Sequence, residues 1–166
     1  CIRDSPYHPA WINAAPRGSL EEHRLFASGS DIYGLDIYPV PYPNSHSGME
    51  DKSMTCVGKY TQEMRDSVHG RKGVWMMLQG FAWETMKEKR DPAKLIYPTP
   101  AESRFMAFDA LTSGANAVGY WGTQYIEKSE FYRDLFALGE ELHRLSGLFR
   151  NGRQTGVKRF GPVSVY

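Results

Sequence analysis

The chain has 166 residues, enough for one ordinary domain. Twenty Lys and Arg face 19 Asp and Glu, a formal net charge of +1, which leaves no electrostatic case for a nucleic-acid binder or a polybasic membrane surface. Hydrophobic residues make up 41% and charged residues 23%, which excludes wholesale disorder, and no apolar run reaches the roughly 20 residues of a membrane-spanning helix.

The first residue is Cys rather than Met and no leader-like pattern follows it. The sequence therefore reads as a piece of something longer or as a processed product. Residues 9–15 form the first short apolar run, closed by Pro16-Arg17-Gly18, and a short helix is predicted from about Leu20 to Ala27. The second run, 31–38, ends at Pro39 and a proline-bearing loop. Met54, Val57, Tyr60, Met64 and Val68 then recur at helical spacing. Cys56 falls on that helix and is expected to be a buried thiol. A third run covers 74–81. The helix after it has the clearest start signal in the chain: Thr99 as N-cap, Pro100 at the first position and Glu102 closing a capping box, with Gly114 beyond its end. The fourth run, 115–122, precedes a helix marked by Phe131, Leu135, Leu138, Leu142 and Leu145.

Near-continuous apolar runs alternating with helices predict an α/β domain with parallel strands. Four β/α units are expected at about 8–28, 31–70, 73–114 and 115–150, with a tail over 151–166, all in a single domain spanning 1–166. The long connections, about 39–52 and 81–98, both follow strands, so the elaboration is expected at the carboxyl ends, where such folds place their chemistry. Gly70-Arg71-Lys72-Gly73 precedes a strand and reads as a solvated turn. No GxGxxG or P-loop follows any strand, which argues against a dinucleotide or phosphate ligand.

Strand alternation assigns Gly34, Asp36 and Tyr38 to one face and Tyr33, Leu35 and Ile37 to the other. Trp75, Met77 and Gln79, then Ala117, Gly119 and Trp121, and Trp11, Asn13 and Ala15 continue the first face. Its polar members sit near the carboxyl ends. There Asn13, Arg17, Asp36, Tyr38, Gln79 and Trp121, with His46 and Glu84 on adjoining loops, make a constellation suited to a sugar. Rings stack on the C–H face of a pyranose, while amides, carboxylates and Arg bond its hydroxyls. Plainer readings stand beside it. Asp36 could hold a loop or pair with Arg, Glu84 could be solvated, Trp75 is expected in the core and Glu102 is expected to be a cap. His8, His23, His69 and His143 read as isolated, so no metal and no cofactor is implied.

The runs DIYGLDIYPVPY (31–42), GVWMMLQGFAWE (73–84) and TPAESRFMAFDALTSGANAVGYWG (99–122) resemble strands five to eight of a clan A type glycoside-hydrolase TIM barrel. The resemblance implies half of a (β/α)8 barrel, a sugar platform at Trp121, and an aromatic near the nucleophile at Tyr38. That family's strand-seven nucleophile, a Glu, falls on Gln79, which can neither form a glycosyl ester nor act as a base. The strand bearing its acid/base Glu is absent here. Glycosidic hydrolysis would then use Asp36 and Glu84, with Asn13, Arg17, Tyr38, His46 and Gln79 binding substrate and Trp121 stacking on it. The alternatives are a non-catalytic carbohydrate-binding half barrel, an inactive fragment of a longer glycosidase, or an open flavodoxin-like sheet. Four parallel strands leave two bare edges and an open face, so a homodimer or a missing N-terminal half is the expected complement.

Overall fold

The computed structural model describes residues 7–42 and 49–152, together with the backbone of 158–160 and 163–165. Strands β1 (Trp11–Ala14), β2 (Ile32–Ile37), β3 (Gly73–Gln79) and β4 (Ala117–Trp121) form one parallel sheet in sequence order. Helices α1 (Leu20–Ser28), α2 (Cys56–Ser67), α3 (Pro100–Thr112) and α4 (Ser129–Asn151) alternate with them. The register runs Trp11 to Ile32, Ile32 to Gly73 and Trp75 to Ala117. The expected α/β fold with four successive β/α units is present. Sequential order also separates this sheet from a flavodoxin-like one, whose first two strands exchange places so that helices cover both faces.

Local chemistry sets the helix starts. Thr99 Oγ1 accepts the Glu102 N–H while the Glu102 carboxylate accepts the Thr99 N–H, as read from the sequence. A second capping box, unrecognised in the sequence, starts α1: Ser19 and Glu22 exchange the same pair of bonds. Gly114 follows α3 at φ +107°, a conformation open to glycine at little cost. The segment read as a tail contributes the end of α4 and an antiparallel hairpin, β5 (Lys158–Phe160) with β6 (Val163–Val165). Among the described residues no helix is long and apolar enough to cross a membrane.

The helices bury one face of the sheet. Tyr33, Leu35, Ile37, Val74, Met76 and Leu78 pack against Val57, Met64, Met106, Ala110 and Leu138. Cys56 and Tyr60 are buried with them, as expected. His23 is not isolated: it lies buried on α1 with Nδ1 2.8 Å from the Tyr33 hydroxyl. Trp75 also departs from expectation. Alternation puts it on the face without helices, where it is 38% exposed and its ring lies 6.0 Å from Trp11. Among the described residues, the outer edges of β1 and β4 pair with no strand.

Candidate functional site at the carboxyl ends of the strands

The connections after β2 and β3 are the long ones, and they meet above the sheet. The β3–α3 connection carries two short 3₁₀ turns, Trp83–Met86 and Pro92–Lys94. Its first residues bring Phe81 and Trp83 beside Tyr38 from the end of β2 and Trp121 from the end of β4. Tyr38 stacks on Trp121 at 5.8 Å and 29° and meets Phe81 edge-on at 5.1 Å. Phe81 in turn lies edge-on to Trp83 at 5.1 Å and to Trp121 at 5.2 Å, and Tyr125 adjoins Trp121 at 5.9 Å. Offset and edge-to-face contacts at these separations are the favourable ones for aromatic pairs. Two glycines allow the approach. A Cβ on Gly80 would stand 2.7 Å from the Trp121 carbonyl, and one on Gly122 (φ +84°) would stand 2.6 Å from the Phe81 ring. Tyr38 and Phe81 are buried, whereas Trp121 keeps 37% of its surface open.

Asp36 stands two residues before Tyr38 on the same face of β2. The Asn13 amide donates to its Oδ1 at 3.2 Å, and the Tyr38 hydroxyl donates to the same carboxylate. Burial pushes the Asp36 carboxyl above the ordinary carboxylate range, against the opposing pull of its hydrogen bonds and of the Arg17 charge. The Tyr38 phenol is pushed upward as well, first by burial and then by the Asp36 charge, so it remains a donor. Asn13, Arg17, Asp36, Tyr38 and Trp121 therefore form a connected group, with Tyr38 joining the carboxylate to the exposed ring.

Two predicted members point elsewhere. Gln79 is fully buried. Its Oε1 accepts the Val40 N–H at 2.9 Å, and its Nε2 donates to the Val40 and Phe81 carbonyls at 2.8 and 3.0 Å. Both amide hydrogens are thus spent in fastening two loops, and burial keeps the amide out of reach of a ligand hydroxyl. Glu84 is also buried, not solvated: Lys87 Nζ lies 2.7 Å from Oε2, and the Asp91 N–H donates to Oε1 at 2.7 Å. Those bonds, Lys87 foremost, hold its carboxyl below the usual range. Glu84 organises its own loop, turned to Lys87 and Asp91 in place of Asp36. His46 lies outside the described residues.

No protein-family model, no curated protein and no solved structure matches this chain. Phe81, Trp83 and Tyr125 were missed in the sequence because nothing in their local pattern marks them as neighbours of Tyr38; the one available signal was their position just after strands. Among the described residues no cluster of His, Cys, Asp or Glu could hold a metal ion. What the site offers is an open indole over a buried aromatic base, beside one carboxyl group held by neutral donors and flanked by Arg17.

Proposed function

We propose that this chain binds carbohydrate at the carboxyl-end rim of its sheet. Trp121 supplies the stacking surface, and Asp36, Asn13 and Arg17 supply the hydrogen bonds to ring hydroxyls. One observation carries this reading: Tyr38 stacks beneath an exposed Trp121 while its hydroxyl holds Asp36, so an apolar platform and a polar edge are built as one unit. The resemblance of 31–42, 73–84 and 99–122 to glycoside-hydrolase barrels agrees with it. Calorimetric titration against a panel of soluble oligosaccharides is the test. Binding weakened at least about tenfold by Trp121→Ala is expected, given what an aromatic contact contributes. Absence of binding to every sugar in the panel would remove the proposal.

A second reading, hydrolysis of a glycosidic bond, is favoured by the raised pKa of Asp36, the property wanted in a proton donor to a leaving group. It also needs a second carboxylate, and Glu84 is occupied in its loop. Turnover of aryl glycosides that disappears in Asp36→Asn supports hydrolysis; sugar binding without turnover leaves the binding role alone.

A further inference from the structure

The connection between β4 and α4, residues 122–128, sets Tyr125 against the exposed indole of Trp121, and its own frame is slight. One 3₁₀ turn, Thr123–Tyr125, is closed by the Tyr125 N–H on the Gly122 carbonyl at 2.9 Å. A longer bond, 3.3 Å, runs from the Ile126 N–H to the Thr123 carbonyl. Among the described residues, no side chain caps that turn or the start of α4. Turns this short have poor hydrogen-bond geometry and little stability alone. The support comes from the β3–α3 connection. The Tyr97 hydroxyl accepts the Glu127 N–H at 2.9 Å and donates to the Tyr125 carbonyl at 3.1 Å. Arg90 also pairs with Glu127, but both side chains are about half exposed, so solvent weakens that pair.

Tyr97 is itself firmly seated. It is buried, its ring lies 4.9 Å from Phe131, and the Lys128 ammonium stands 5.7 Å from the ring centroid. Two residues later Thr99 opens the capping box of α3. Ala82 packs into the same cluster as Tyr97 and Phe131, while its neighbours Phe81 and Trp83 pack on Tyr38. The β3–α3 connection thus touches the ring cluster at one end and holds the β4–α4 connection at the other. We infer that Tyr97 is a positioning residue for the sugar platform: its hydroxyl holds Tyr125 beside Trp121, at 5.9 Å and 47°, and so keeps the indole in the pose that a pyranose face meets. This rests on the carbohydrate reading of the site. Tyr97 makes no contact with the sugar in this role. Removing its hydroxyl leaves a main-chain donor and a main-chain acceptor without that partner, and residues 122–128 loosen around Trp121.

Tyr97→Phe keeps the ring, its packing on Phe131 and the Lys128 contact, and removes only the two hydrogen bonds. Calorimetric titration should find sugar affinity lowered at least about fivefold, the size of a lost hydrogen bond. Hydrogen–deuterium exchange over 122–128 should quicken at least about fivefold. The near-ultraviolet circular dichroism of the rings should change while the far-ultraviolet signal holds. Tyr33→Phe is the control, because it removes a buried hydroxyl bonded to His23 on the helix-covered face of β2, away from the platform. It should lower stability yet leave sugar affinity and the exchange over 122–128 at parent values. Parent affinity in Tyr97→Phe, unchanged exchange over 122–128, or an equal loss of affinity in Tyr33→Phe overturns the inference, while Trp121-dependent binding keeps the carbohydrate reading. A parent chain that binds no sugar overturns both.

Discussion

The side-chain amide of Gln79 pairs with the main chain of Val40 at both ends, accepting its N–H at 2.9 Å and donating to its carbonyl at 2.8 Å. A third bond, to the Phe81 carbonyl, completes the clasp. The end of β3 thereby fastens the loop that follows Tyr38 to the loop that carries Phe81, and the aromatic cluster rests on that junction. Removing the amide in Gln79→Ala strands three buried backbone groups, and a loss of about 2–4 kcal/mol in urea unfolding is expected. Gln79→Glu keeps the shape but cannot donate to either carbonyl when ionised. It should therefore be more stable at acid pH than at neutral pH relative to the parent chain, a comparison that the same titrations provide.

Asp36 and Glu84 should respond to pH with opposite sign. The folded-state pKa of Asp36 lies above its ordinary 3.8, so its contribution is fully present below that value and is lost as pH rises through the folded value. The folded-state pKa of Glu84 lies below 4.5, so its contribution is present above 4.5 and is lost as pH falls through the folded value. Chemical denaturation at neutral pH should then find Asp36→Asn more stable than the parent and Glu84→Gln less stable. Both differences should fade in strong acid. Two shifts of the same sign at neutral pH would contradict the enclosed Asp36 and the Lys87-paired Glu84.

Gly122 holds φ at +84° with the Phe81 ring against it. Gly122→Ala adds both a strained backbone and a methyl group in occupied space, a cost of about 1–3 kcal/mol. Displacement of Phe81 should disturb the stack of Tyr38 on Trp121. The near-ultraviolet circular dichroism, which reports fixed aromatic packing, is expected to weaken while the far-ultraviolet signal persists.

Burial pushes the Cys56 thiol up to about 12, with the Asp51 and Asp109 charges acting in the same direction. In a Cys1→Ser background, Ellman's reagent should find no reactive thiol in the folded chain and one after denaturation. Rapid labelling of the folded protein would contradict the packing of α2 described above.

The layering follows from local pattern. Apolar runs at 31–38 and 74–81, too short and too continuous for surface helices, could be satisfied only as strands covered by helices. The spacing of Val57, Tyr60 and Met64 said which face of α2 would cover them. Thr99, Pro100 and Glu102 fixed the start of α3 because a capping box is made within four consecutive residues. Alternation likewise places Asp36 and Tyr38 on one side of the β2 segment. What those side chains meet depends on how the loops pack. Gln79 finds Val40 at a separation of 39 residues, and nothing local distinguishes a cleft-facing amide from one that clasps a loop. Glu84 lies in a stretch rich in charge, yet its carboxylate is enclosed because the chain turns back to bring the Asp91 N–H to it. Trp75 has the composition of a core residue and lies on the open face because alternation, not hydrophobicity, sets its side. Hydrogen-bond partners and ring neighbours are properties of how distant loops converge, and convergence is settled only when the sheet and its helices have packed.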